Sequence, residues 1–165
     1  MKVLRESPMR VQIQKMVRVP RAELEWLEGR ARRLLVVLSA FRIPGAAALK
    51  RAELSILLLN DPEIQKMNRD WRGKNKPTDV LSFPQQSLKE LRALSLASKK
   101  GSKDPWGLGD IVISLDRSKA QAKERGHSHR EELEILLAHG LLHLLGFDHE
   151  ESRAEALKMR RMERK

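Results

Sequence analysis

The chain has 165 residues, 41% hydrophobic, a formal net charge of +11 and no cysteine. That length suits one domain (residues 1–165), the apolar content excludes a disordered chain, and the missing thiols exclude disulfides and thiolate metal sites. The excess of Lys and Arg favours an anionic partner, nucleic acid being the commonest. Aromatics are only 4%, so the core must be aliphatic.

The elements follow in chain order. Val11 and Ile13 alternate with polar neighbours and predict a short strand near residues 10–15. Pro20 opens a helix over 21–39, where Leu24, Leu27, Ala31, Leu34, Leu35 and Leu38 recur at helical spacing. Pro44 and Gly45 break it. Leu54 to Leu59 is a short apolar run, expected as a buried strand. Asn60-Asp61-Pro62-Glu63 has the cap, the first-turn proline and the acid of a helix start, and that helix should reach about Trp71.

A basic loop from Arg72 to Lys76 follows, then a strand at 79–83 stopped by Pro84. Residues 85–107 are polar and basic, with room for a short helix near 87–97, and as a whole resemble an insertion or flap. Residues 109–114 give a fourth strand, and helices are expected over 116–125 and 129–145, separated by Gly126. Gly146 reads as the glycine that ends the longer one, and a very basic last helix is expected over 151–164. The fold class is α+β: a small mixed sheet of about four strands packed with five or six helices. No apolar run approaches the roughly 20 residues of a membrane span, and the N-terminus lacks a signal-peptide pattern. The expectation is a soluble, cytoplasmic protein with no membrane partner.

Three of the five histidines lie in one segment, His139-x3-His143-x5-His149. Residues i and i+4 share a helical face about 6 Å apart along the axis, so two imidazoles can reach one ion at roughly 2.0–2.1 Å. A third ligand must come from off that face. Gly146 can turn the chain back and return His149 to the metal. Three protein ligands leave one position open, which is the catalytic pattern, and Zn²⁺ is favoured, although an all-nitrogen set also suits copper, nickel or cobalt. His127 and His129 are read as loop and helix-start residues. Zinc peptidases carry a glutamate base immediately after the first histidine. Here that residue is Gly140, which removes the base and leaves room over the metal for a bulky substrate. Asp148 is the candidate to orient a histidine or take a proton. Glu150 and Glu151 read as solvated acids.

At these residues the chain resembles the YbeY family of bacterial rRNA maturation factors with endoribonuclease activity. His139 to His149 matches the family pattern H-G-x-x-H-L-x-G-[YF]-D-H throughout, and Asn68 to Pro84 matches N-x-x-[YW]-R-x-x-x-x-P-T-D-V-L-S-F-P. Gly109-Asp110-Ile111 before a strand also fits, and the similarity spans about residues 50–158. The resemblance implies a mixed sheet packed with helices, the zinc helix among them. It implies His139, His143 and His149 as ligands of one Zn²⁺, and it places Arg72 at the family's functional arginine. The implied activity is zinc-dependent cleavage of single-stranded RNA in rRNA processing, at the 16S 3′ end, and in ribosome biogenesis and quality control. The implied partners are rRNA, ribosomal particles and ribosome-associated proteins.

From the residues alone, Arg72 reads as an exposed cation at a negative helix end. In a nuclease its guanidinium would bind phosphoryl oxygens with two parallel hydrogen bonds, and Lys74 and Lys76 would attract the RNA backbone. Two other readings stay open. One is a zinc metallopeptidase-like hydrolase, whose histidine spacing is similar. The other is a non-catalytic ribosome-binding factor with a structural metal.

Overall fold

A computed structural model describes residues 9–147. The strands are β1 (Arg10–Lys15), β2 (Ala52–Leu59), β3 (Val80–Pro84) and β4 (Trp106–Ser114). The helices are α1 (Arg21–Ser39), α2 (Asp61–Arg72), α3 (Leu88–Lys99), α4 (Leu115–Arg125) and α5 (His129–Leu144), with a 3-10 helix at Ala46–Arg51. The sheet order is β1-β2-β4-β3. β1 and β4 run parallel to β2, while β3 is antiparallel to β4 and forms an edge. This is the expected mixed four-stranded α+β architecture. No described helix is long and apolar enough to cross a membrane.

Side-chain alternation divides the core between the two sheet faces. Leu54, Ile56, Leu58, Ile111 and Ile113 point into one cluster with Leu27, Ala31 and Leu35 of α1 and Leu133, Leu137 and Leu141 of α5. Leu59, Leu81 and Val112 meet Ile64 of α2 on the other face, with Leu57, Met67 and Phe83 packed around them. Helices on both faces explain why the second half of β2 is an unbroken apolar run. The second half of α5, residues 135–144, is apolar apart from its two histidines, in keeping with its burial against the sheet.

The segment 85–107 is no flap. Ser87 caps α3 in a reciprocal box: its hydroxyl accepts from the Glu90 N–H at 3.2 Å, and its own N–H donates to Glu90 Oε2 at 2.6 Å. Leu91 is fully buried in the main cluster. The buried Arg51 guanidinium donates to Ser98 Oγ at 2.9 Å, to the Leu94 carbonyl at 3.2 Å and to the Asp104 carbonyl. Trp106 Nε1 donates to the Ala48 carbonyl at 2.8 Å, so β4 starts three residues earlier than its predicted start at 109. The 3-10 helix, unforeseen in the sequence, supplies the partners that hold this segment. The predicted last helix at 151–164 lies outside the described residues.

β4 carries a bulge where Glu53 pairs with Gly107 and Leu54 with Gly109. Gly109 has φ +144°, and a Cβ there would stand 2.4 Å from the Phe83 carbonyl oxygen and 2.9 Å from Leu144. Gly109→Ala therefore combines backbone strain with a clash against β3 and α5, and should cost about 2 kcal/mol or more. Urea denaturation measures it; wild-type stability in the variant would show that the bulge does not need glycine.

Candidate metal centre

The centre is built on the second half of α5. Its start is fixed by a second capping box, in which the Ser128 hydroxyl accepts from the Glu131 N–H at 3.2 Å and the Ser128 N–H donates to Glu131 Oε2 at 2.7 Å. That backbone bond holds the Glu131 carboxyl below its usual range. Its end is a Schellman turn: the Phe147 N–H reaches the Leu142 carbonyl at 3.0 Å and the Gly146 N–H reaches the His143 carbonyl at 3.0 Å. Gly146 takes φ +90°, the left-handed conformation expected of it. Phe147 is buried beyond the turn.

His139 and His143 are half-buried on one face of this helix. Their Nε2 atoms lie 2.9 Å apart, with ring centroids at 4.5 Å and planes inclined by 66°. Two ring nitrogens aimed at each other across that gap can share one cation or one proton. Nitrogens about 2.05 Å from a tetrahedral ion would stand roughly 3.3 Å apart, so a small opening of the pair admits zinc. His143 is in the last turn, where the negative end of the helix dipole favours a cation. The pair thus fits two ligands of a metal. His149, the third expected ligand, and Asp148 lie outside the described residues, and among the described residues no cluster of three potential ligands forms.

Gly140 does not leave room over the metal, contrary to the sequence expectation. It is buried, and a Cβ on it would stand 3.0 Å from both Cδ1 and Cγ2 of Ile111 in β4. The glycine faces the sheet and lets α5 approach β4 closely. A glutamate there would point into the core.

The other two histidines are structural. His127 Nε2 donates to Glu132 Oε2 at 2.5 Å, and Arg125 donates to Glu132 Oε1 at 2.8 Å, so both oxygens of this buried carboxylate are held. The Ser118 hydroxyl gives its proton to the Leu115 carbonyl at 2.9 Å, so His129 Nε2, 2.7 Å from that hydroxyl, must be the donor. Burial pushes the His129 imidazole below its ordinary value, and the nearby Lys119 acts in the same direction.

Arg72 is the exposed last residue of α2, which ends at Gly73 in a left-handed conformation. The basic loop then runs back along α2. Asn68 Nδ2 donates to the Lys76 carbonyl at 2.9 Å, and Gln65 Nε2 donates to Asn75 Oδ1 at 3.1 Å. Lys74 and Lys76 are exposed on this tethered loop. The ends of α2 and α5 come to the same end of β3. Trp71 contacts the Phe83 ring at 5.9 Å, while Gly109 brings the Phe83 backbone beside Leu144 of α5. Sequence reasoning gave Trp71 no role of its own beyond its place in the motif before Arg72.

A family model described as Endoribonuclease YbeY matches residues 25–165. Proteins of that description are similar over shorter stretches. That of Myxococcus xanthus is 49% identical over 115 residues, covering 70% of this chain and 35% of the relative. That of Persephonella marina is 48% identical over 112 residues, covering 67% and 65% respectively. That of Aquifex aeolicus is 42% identical over 118 residues, covering 72% and 70%. The chain therefore spans about a third of the first relative's length and about two thirds of the other two. The fold is similar to the solution structure of TM1509 from Thermotoga maritima, with TM-score 0.55 and 21% identity over 93% of this chain and 86% of that one. With the family model covering the histidine segment, Arg72 and most of the core, the chain belongs to the YbeY family.

Proposed function

We propose that this protein is a zinc-dependent endoribonuclease that cuts single-stranded RNA, acting in rRNA processing at the 16S 3′ end and in ribosome biogenesis in the cytoplasm. The observation that carries the reading is the His139–His143 pair, with Nε2 atoms 2.9 Å apart, in a chain whose relatives are described as endoribonucleases. His139, His143 and His149 would hold the ion. When bound, zinc supplies Lewis acidity toward a phosphoryl oxygen and acidifies water. Arg72 binds the scissile phosphate through paired N–H donors and stabilises the charge that builds on its oxygens. Lys74 and Lys76 attract the RNA backbone, in keeping with the net charge of +11. Asp148 orients a histidine ligand through its other ring nitrogen or takes a proton. Ribosomal particles and ribosome-associated proteins are the expected partners.

The peptidase reading loses support from Gly140, whose side-chain direction is filled by Ile111. A purely structural metal is disfavoured because three ligands leave a coordination position open.

His143→Ala should reduce bound zinc well below one per chain and lower RNA cleavage by more than about 100-fold, with the far-UV spectrum kept. Chelation should give the same loss in the wild type, reversed by added zinc. Metal analysis beside an oligonucleotide cleavage assay checks both, and full activity in the metal-free variant would sink the mechanism.

Arg72→Ala should lower kcat by about 10²–10³-fold while zinc content and stability stay as in the wild type. A loss that appears instead in metal content would assign Arg72 to the metal rather than to the phosphate.

Gly140→Glu should destabilise the fold by about 2 kcal/mol or more, because a carboxylate enters the space of Ile111, and should yield no proteolysis. A folded, zinc-loaded Gly140→Glu variant that cleaves casein would revive the peptidase reading.

A further inference from the structure

Resting on the endoribonuclease reading, we propose that Trp71 is a stacking platform for a nucleobase of single-stranded RNA and positions the strand beside β3, an outer strand among those described. The chain has three tryptophans, and their surroundings differ. Trp106 is buried and hydrogen-bonded, and Trp26 is half-buried beneath the guanidinium groups of Arg30 and Arg130 at 5.9 and 5.2 Å. Trp71 is 72% exposed, more than any other large hydrophobic residue described. At that exposure at least one face of the indole stays open to solvent.

The ring is nonetheless held in place. It makes an edge-to-face contact with Phe83 at 5.9 Å and 69°, and Phe83 is itself packed against the Leu59, Ile64, Leu81 and Val112 cluster. A supported but solvated indole is a poor use of apolar surface unless something flat covers it. The chain that follows it is basic: Arg72 comes next and the tethered loop presents Lys74 and Lys76, while the preceding Asp70 is paired with Arg69 at 3.1 Å. An open π-face followed in the chain by cations suits a nucleobase with its flanking phosphates, since bases stack on aromatic rings whatever their sequence. An acidic protein segment would use the cations but not the open face as well. Phe83 also places the platform relative to the metal centre. Its ring carries Trp71 on one side of the sheet, and its backbone lies beside Leu144, one residue after His143. A strand stacked on Trp71 reaches the histidine pair by rounding the edge of β3.

The test uses the zinc-loaded full chain and short single-stranded RNA oligonucleotides, with or without one abasic nucleotide. Trp71→Leu keeps an apolar side chain on Phe83 but removes the π-face. It should raise KM by about 5- to 150-fold, leave kcat at saturation within about twofold, and leave the thermal midpoint and zinc content unchanged. Trp71→Phe should recover most of the binding. The abasic substitution should weaken the wild type and have little effect on Trp71→Leu. In a Trp26→Phe background, RNA should quench the Trp71 emission. Unchanged KM and RNA binding in Trp71→Leu, while the wild type binds and cuts, would overturn the platform and leave the endoribonuclease reading standing. Loss of zinc or of folding in both Trp71→Leu and Trp71→Phe would assign Trp71 to structure and overturn it as well. A zinc-loaded wild type that neither binds nor cuts RNA would remove the endoribonuclease reading, and the platform with it.

Discussion

The contact between Gly140 and Ile111 sets the depth at which α5 lies on the sheet. A Cβ at 140 would stand 3.0 Å from the Ile111 side chain, so even an alanine would require Ile111 to give way by a few tenths of an ångström, and a larger residue by more. Because helical residues one apart point in different directions while residues four apart stack, fixing the glycine against β4 also fixes where His139 and His143 project. The absent side chain thus positions the histidine pair through packing rather than by leaving open space beside it. A glycine in mid-helix costs about 1 kcal/mol relative to alanine. The buried leucines that surround it in α5 more than offset that amount.

Both ends of α5 are tied down independently. Ser128 and Glu131 satisfy first-turn donors, and the buried Glu132 collects Arg125 and His127 from the end of α4 and the turn that follows it. At the other end the Schellman turn closes within three residues of His143 and buries Phe147. The imidazoles therefore sit on a helix whose two ends are both capped, which opposes fraying. Side chains held on rigid elements need little reorganisation to take up a ligand.

Much of this was legible in the sequence, and the failures have physical causes. The helices at 21–39, 61–72 and 129–144 were visible because each had an amphipathic or apolar pattern together with its own start or stop residue. The i, i+4 spacing of His139 and His143 predicted that the two rings meet, since helical geometry alone brings them together. The short helix expected near 87–97 is α3, and only the reading of 85–107 as an insertion or flap failed, because polarity was weighed above packing. Ser87-Leu88-Lys89-Glu90 carries a capping-box signature, and Leu91 and Leu94 supply the apolar face behind it. Gly140 was misjudged because a sequence tells which side chain is missing but not what occupies its place. That depends on Ile111, which lies 29 positions away and meets it only through the fold. The partners of His127 and His129 were beyond local pattern for a related reason: an exposed loop histidine and one bound to a buried acid have the same spacing.

The direction of β3 explains why the ends of α2 and α5 meet. β2 is followed by α2, which runs back along the sheet and delivers Trp71 and Arg72 to the end from which β4 starts. To enter β3 antiparallel to β4, the chain must first return the length of α2, which it does through the loop held by Asn68 and Gln65. β3 then ends with Phe83 and Pro84 beside the same end, where Gly109 admits both the Phe83 carbonyl and Leu144 of α5. A parallel β3 would finish at the opposite end of the sheet and separate its aromatic residue from both helix termini. Reversing one edge strand thus gathers two helix C-termini, each favourable to cations, around a single phenylalanine. Its terminal Pro84 has no N–H to offer a neighbouring strand, which discourages edge-to-edge pairing beside the site.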